Sequence, residues 1–366
     1  MEYNIKDCLA TYEVWEESLK LCKALNVERV YRESIDLWRP TLAMALSGLP
    51  VDTDTRTQIQ TDLDAAEGEY TQRIHKIVGQ EININSTQQL QKYFHVTLGC
   101  DMVWDNKDKK FTLADQALKS LKGKYPLLTR LIDLIVKVRA ITTNRKFVAY
   151  EIDKDNRIRA AFNIAGTASG RFSSSKNPLF TGGNLQNFTK GGDGIPNMKN
   201  MIQPKKGWVF WEPDLSGADI QVVARESGDK LLNEWLEADK SAHLENAKII
   251  FLHEISKEDK KKYGQVKMTA HLLNYGGTYH TISKSGIPLA EAKLHEHRYF
   301  QAHTGIGGWH KRTKQELIQK KGITNPFGQV RRFYTVQNGK VGRTDMNEAL
   351  SHVPQSVVAF VIRKAM

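Results

Sequence analysis

The residues best suited to chemistry fall in three stretches of the chain. Asp214-Leu215-Ser216-Gly217-Ala218-Asp219-Ile220-Gln221 follows an apolar run, Trp208-Val209-Phe210-Trp211, and leads on to Ser227-Gly228-Asp229. A carboxylate at a strand end, where a sheet opens, can hold divalent cations. Two such cations stabilise the attacking and leaving oxygens of an in-line phosphoryl displacement. Taken alone, Asp214 could equally cap the helix that follows it. Lys267, His271 and Tyr275 are spaced by four, so they share one helix face, with Asn274 and Thr278 beside them. Upstream, Thr167-Ala168-Ser169-Gly170-Arg171-Phe172-Ser173-Ser174-Ser175 and Asn184-Leu185-Gln186-Asn187 form a polar signature.

Positioning these groups requires both helices and strands. The first fifty residues read as helical up to Pro40 and the Gly48-Leu49-Pro50 break. Ser86 and Gln89 read as a capping box opening a short helix toward Phe94. Pro126 stands where a first helical turn would begin. Leu127, Leu131, Leu134, Ile135 and Val138 then make an apolar stripe that leaves Arg130, Lys137 and Arg145 outside it. Those three cations would face solvent or a duplex backbone. Strands are expected over 147–153 and 208–213, from their apolar, β-branched and aromatic character. The Gly/Ser/Asn-rich connection over 165–198 is too long for an ordinary loop. Helical character returns over 214–338, broken at Gly276-Gly277, at 305–308 and at Gly322, and a last helix is expected from 344.

Composition narrows the partners. The 366 residues carry 53 Lys and Arg against 41 Asp and Glu, a net charge of +12. That balance favours a polyanion, either nucleic acid or an anionic membrane surface. Three cysteines (Cys8, Cys22, Cys100) are too few and too scattered for a disulfide framework or a zinc cage, which points to a reducing cytoplasm. No apolar run approaches the ~20 residues that span a bilayer, and the first residues lack an apolar signal region. A cytoplasmic protein with no membrane partner is the expectation, in two or three lobes.

Together, in this order, the motifs resemble those of the family A DNA polymerases, the bacterial DNA polymerase I and phage replicase group. The resemblance implies an α+β right-hand core, with a helical thumb, a partial antiparallel-sheet palm and helical fingers. It implies Mg²⁺ in a two-metal mechanism, with Asp214 as a ligand of both metals and the carbonyl of Leu215 as a further ligand. Asp219 stands where DNA-making members usually carry Glu to block a ribose 2′-hydroxyl, and is one methylene shorter. Lys267 and His271 stand where the family commonly has Arg and Lys against the triphosphate. Tyr275 is a permitted alternative for the ring packing on sugar and base, and implies acceptance of dideoxynucleotides. Tyr279 resembles the residue stacking on the template base in the open site. His243 matches a histidine near the triphosphate tail. Arg171 resembles the minor-groove Arg at the terminal base pair, Asn184, Gln186 and Asn187 the template-strand contact, and Gln355 a primer–template contact. Arg343 could substitute for an Arg expected nearer that Gln, and Asn325-Pro326-Phe327-Gly328-Gln329-Val330-Arg331-Arg332 resembles a Phe-Gly-Arg-Arg turn.

By the same resemblance, residues 1–40 correspond to the end of a 3′–5′ exonuclease domain, with Tyr3 and Asp7 as its last motif. Residues 41–150 would be thumb, 151–240 the first palm part, 241–334 fingers and 335–366 an incomplete second palm part. The family closes its site with a His-Asp-Glu hairpin, and no His-Asp pair occurs in this sequence. The expected function is therefore deoxynucleotide addition to a primer 3′-end on primer–template DNA, with a second polypeptide supplying the missing carboxylate. The competing expectation is a primer–template-binding subunit without synthesis. An RNA-synthesising relative fits Tyr275-Gly276, but Asp219 and the Asn-Leu-Gln-Asn turn argue against it.

Overall fold

A computed structural model describes residues 2–105, 109–192 and 194–366. Along the chain the helices are α1 (Glu2–Ala24), α2 (Glu28–Asp36), α3 (Trp38–Ser47), α4 (Thr53–Val78), α5 (Thr87–Gln91), α6 (Asp115–Lys124) and α7 (Thr129–Val148). After a strand-bearing stretch come α8 (Ala218–Ser227), α9 (Lys230–Glu237), α10 (Ala242–Phe251), α11 (Lys260–Asn274) and α12 (Tyr279–Ser283). The last are α13 (Leu289–Ala302), α14 (Thr304–Lys320) and α15 (Arg343–Ala365). The strands are β1 (Leu49–Pro50), β2 (Trp104–Asp105), β3 (Lys110–Phe111), β4 (Arg157–Ile158), β5 (Ala161–Asn163), β6 (Ser173–Ser175), β7 (Gly322–Thr324) and β8 (Val330–Arg332). Two compact units result. One comprises Ala43–Phe162 and Ser174–Trp211, the other Met1–Leu42, Asn163–Ser173 and Glu212–Met366.

In the first unit, α4 starts where the Asp52 carboxylate accepts from the Asp54 and Thr55 amides at 3.0 and 3.1 Å, a side-chain cap for otherwise orphan donors. Ile59 and Leu63 on α4 meet Ile141, Phe147 and Val148 of α7 in one buried cluster with Met198 and Met201. Each such large apolar side chain, fully buried, stabilises by about 1.5–3 kcal/mol. A second cluster joins Leu131, Leu134, Ile135 and Val138 to Phe94, Leu118 and Leu121, the stripe expected from sequence. Leu127 departs from it and is 99% exposed, because residues 126–128 form a 3₁₀ turn whose phase differs from that of α7. The β1–β4 and β2–β3 pairs are antiparallel.

In the second unit, helices α8 to α14 surround a core that includes Ile220, Val223, Trp235, Ile250, Val266, Leu273, Tyr299 and Trp309. The β7–β8 hairpin pairs Ile323 with Arg331 and packs with Leu317 and Val353.

Four expectations are corrected. Phe147 and Val148 belong to the last turn of α7, not to a strand, because their side chains complete its buried face. The 208–213 segment joins no strand ladder among the described residues, and Trp208, Val209 and Trp211 are 74, 86 and 87% exposed. β-propensity needs a hydrogen-bonding neighbour to become a strand. Next, 305–308 is no break but the first turns of α14. A Cβ on Gly305 would come 2.6 Å from the Asp229 Cα, so glycine there permits backbone-to-backbone packing. The Ser86 cap is half of a box: Ser86 accepts from the Gln89 amide at 3.4 Å, but the Gln89 side chain accepts from the Asn83 amide at 2.7 Å.

Candidate active site

α8 is bounded by two glycines in the left-handed region, Gly217 at φ 59° and Gly228 at φ 63°, a conformation that costs glycine least. Gly217 occupies the N-cap position, which rules out capping as the role of Asp214. With Ile220, Val223, Ala224 and Ser227 turned inward, Asp219 is left on the outer face in the first turn. A carboxylate is favoured there by the helix dipole.

α11 is capped by Asp259, whose carboxylate accepts from the Lys262 amide at 3.0 Å. Val266, Ala270 and Leu273 point into the core. The adjoining face carries Tyr263, Lys267, His271 and Tyr275 at four-residue spacing, and all four line one cleft of about 1150 Å³. Asp214, Leu215, Asp219 and His243 line the same cleft, along with Lys240 and Lys257. Residues from three separate stretches of sequence thus converge on one concavity.

Its electrostatics are specific. The Tyr275 hydroxyl donates to Asp219 Oδ2 at 3.2 Å, and Arg171 stands 3.8 Å from Asp219 Oδ1. Burial, with the Asp219 charge beside it, pushes the Tyr275 phenol well above its usual range, so it remains a donor. The His271 ring lies edge-on to Tyr275, with centroids 4.4 Å apart. Burial lowers the His271 pKa, a shift that Asp219 opposes and Lys267 and Arg171 reinforce. Burial, then the Lys267 and His271 charges, brings His243 down to about 4. His243 is therefore neutral near pH 7. His243 packs edge-on to Tyr263 with its Nδ1 buried and lacking a partner among the described residues.

Arg171 lies on a segment tied to the end of α15. Arg363 donates to the Ile164 carbonyl and lies over the Phe172 ring at 6.0 Å. Gln329 donates to the Ala168 carbonyl at 3.2 Å, and the Thr167 hydroxyl donates to the Arg171 carbonyl at 2.9 Å. A buried trio fixes the helices behind the cleft. Asp229 meets His303 Nδ1 at 2.9 Å and accepts from the Leu232 and Gly305 amides at 3.1 Å each, while His303 Nε2 meets Asn246 at 2.8 Å. Burial alone would raise the Asp229 pKa, but the His303 contact and the two amides hold it below the usual value.

Other expected residues lie apart from this cleft. Tyr279 is at the start of α12, where its amide donates to Glu296 at 3.0 Å and Lys293 lies over its ring at 5.2 Å. Gln355 is half-buried on α15 and does not line the cleft. Arg343 donates to the Thr278 and Thr281 hydroxyls at 3.1 Å each, anchoring α12. Tyr3 and Asp7 are exposed on α1, a helix with no buried residue. Asn184, Gln186 and Asn187 belong to the other unit. There the Ser174 hydroxyl faces Asn184 Oδ1 at 3.0 Å and Gln186 Oε1 at 3.3 Å. Arg145 is engaged by Asp64 at 2.6 Å and Glu67 at 2.5 Å, and Lys137 lies over the Tyr70 ring at 5.5 Å; only Arg130 has the simple exposed position.

Sequence reasoning missed Tyr263, Lys240, Lys257 and the Asp229–His303–Asn246 trio. The first was within reach, since it precedes Lys267 by one more interval of four. Asp229 ends the Ser227-Gly228-Asp229 motif, whereas nothing local marks Lys240, Lys257, Asn246 or His303.

Residues 53–366 match DNA polymerase family A, and the chain belongs to that family. Among curated relatives it is 27% identical over 281 residues to the thermostable DNA polymerase I of Thermus filiformis, covering 75% of this chain and 32% of that protein. The DNA polymerase I of Bacillus subtilis is 27% identical over 337 residues, covering 88% of this chain and 36% of that protein. That of Helicobacter pylori is 25% identical over 338 residues, with 89 and 35% covered. The chain spans about a third of the length of the curated relatives it matches. Among solved structures, the POL domain of Pol1 from M. smegmatis, in complex with DNA primer–template and dNTP, superposes with a TM-score of 0.83 at 21% identity. It covers 95% of this chain and 61% of that one, so the fold is that of a family A polymerase core.

Proposed function

We propose that the chain performs template-directed addition of deoxynucleotides to a primer 3′-end, as part of DNA replication in a bacterial or phage-infected cytoplasm. The observation that carries this is the single cleft in which Asp214, Asp219, Lys267, His271 and Tyr275 converge. Lys267 and His271 would hold the triphosphate, assisted by His243, and Tyr275 the sugar and base. Asp219, held by Tyr275, would close the space beside the sugar C2′. Arg171 would check the terminal base pair, and both base-pair orientations offer minor-groove acceptors to such a donor. Asn184, Gln186, Asn187, Tyr279 and Gln355 would contact the DNA. The lobes would be thumb, split palm and fingers with the boundaries expected from sequence, and Tyr3 and Asp7 a remnant of an exonuclease motif.

Mg²⁺ fits the donors at the cleft edge, a carboxylate on Asp214 and the Leu215 carbonyl, because it prefers hard oxygen ligands. When bound it would stabilise charge on the transferring phosphate. Among the described residues no three His, Cys, Asp or Glu side chains form a metal-holding group, so a further carboxylate, supplied in cis or by a second polypeptide, belongs to this reading.

A second reading is a primer–template-binding role without synthesis. The exposed, ladder-free 208–213 segment favours it, since the side chain before the cleft is then not held by a sheet. Primer extension with Mg²⁺ and all four deoxynucleotides separates the two. The chain is run alone, together with a polypeptide bearing the His-Asp-Glu hairpin, and as Asp214→Ala in both settings. Extension abolished by Asp214→Ala supports synthesis. Duplex binding without extension in any mixture supports the binding role.

A further inference from the structure

We propose that the turn at residues 177–181 is a base-stacking beak, in which Leu179 and Phe180 receive an unpaired base of a nucleic-acid strand. The proposal rests on the reading that the chain binds primer–template DNA. The turn is tightly built. The Phe180 amide donates to the Asn177 carbonyl at 2.9 Å, and Asn177 Oδ1 accepts from the Leu179 and Thr181 amides at 2.9 and 3.1 Å. Asn177 Nδ2 donates to the Thr181 hydroxyl at 2.6 Å, and Pro178 presets the second position of the turn.

Its foot is clamped as well. Gly182 and Gly183 are buried, and a Cβ would come 1.8 Å from the Arg159 carbonyl oxygen at the first and 2.3 Å from the Tyr150 ring at the second. Yet the tip stands in water, with Leu179 81% and Phe180 80% exposed. Phe180 also holds φ at +64°, a left-handed conformation that glycine or asparagine adopts without strain. A turn needed only to reverse the chain would not place a bulky ring there. An ordered backbone that keeps an aromatic ring both strained and solvated points to a use outside the chain.

The sequence flanking the turn favours a polyanionic partner. Residues 174–211 carry five lysines (Lys176, Lys190, Lys199, Lys205 and Lys206) against one aspartate. The amides of Asn184 and Gln186 follow the turn directly in sequence. A partner that is both polyanionic and rich in flat faces is a nucleic-acid strand. Aromatic rings on a basic surface bind unpaired bases without reading their sequence, and an apolar neighbour such as Leu179 can act as a wedge.

The test compares equilibrium binding of the chain to two labelled duplexes, one blunt and one with a single-stranded template extension. Phe180→Gly removes the ring and relieves the backbone, so it folds at least as stably, which a thermal melt verifies. The expected result is a Kd for the extended duplex raised by about tenfold or more, an unchanged Kd for the blunt one, and native-like binding by Phe180→Trp. Equal binding of the extended duplex by the native chain and Phe180→Gly would overturn the proposal, as would an equal loss on both duplexes. Dissociation of a dimer by Phe180→Gly would also overturn it, assigning the tip to a second copy of the chain. If the native chain binds neither duplex, the DNA-binding reading itself fails.

Discussion

Asp219 takes two partners, Tyr275 and Arg171, and thereby links the residue expected to exclude a 2′-hydroxyl to the ring expected under the sugar. Glutamate would reach one methylene further into the cleft that Asp219 lines. Asp219→Glu should raise discrimination against ribonucleotides by tenfold or more, given that one methylene in a pocket changes selectivity by ~10–200-fold. Competing incorporation of ribo- and deoxynucleotides, in whichever assembly extends a primer, measures it. Desolvation lowers the His271 pKa although its side chain is exposed at the cleft, whereas a bound triphosphate would favour its charged form. A group that gains a proton with its ligand binds that ligand better at lower pH. The KM for deoxynucleotides should therefore rise as pH is raised, and His271→Lys should flatten that dependence. His352, buried on α15 near Arg331, is brought down to about 4, chiefly by burial. Its folded pKa lies below the unfolded value of 6.5, so the unfolded chain binds the extra proton. Stability is complete above about pH 6.5 and is lost as pH falls toward 4, by up to about 3 kcal/mol. Urea midpoints across that range should vary less in His352→Leu than in the native chain.

At the scale of elements, the cleft depends on where α9, α10 and α14 meet. Asp229 caps α9, meets His303 and receives the Gly305 amide. Gly305→Ala would drive a methyl to 2.6 Å from the Asp229 backbone. Overpacking of that kind costs about 1–3 kcal/mol, and a lowered midpoint in chemical denaturation is the expected outcome. The two strands expected but not found failed for different reasons. The 147–148 pair is claimed by the buried face of α7. The 208–213 segment has the right residues but no neighbouring strand among those described.

For the whole molecule, the +12 charge is a statement about association rather than fold. If primer–template DNA is the partner, log Kd should rise linearly with log salt, with a slope near 0.9 per phosphate neutralised on a duplex. If Asp214 holds the metal as proposed, Asp214→Ala should leave that line unchanged while abolishing extension. Among the described residues no helix is long and apolar enough to cross a membrane.

Local chemistry was legible in the residues themselves. The four-residue spacing of Lys267, His271 and Tyr275 dictates a shared helix face whatever the tertiary fold, the order of motifs marks the family, and the 131–138 stripe predicts its own burial. Tertiary structure alone decided what those faces meet. No spacing announces that Arg171 stands beside Asp219, that Arg363 grips the segment bearing Arg171, or that Asn246, Asp229 and His303 close on one another across 57 and 74 residues. Helical periodicity is written into neighbouring residues, whereas strand pairing and buried polar networks require partners distant in sequence, and only the folded chain brings those together.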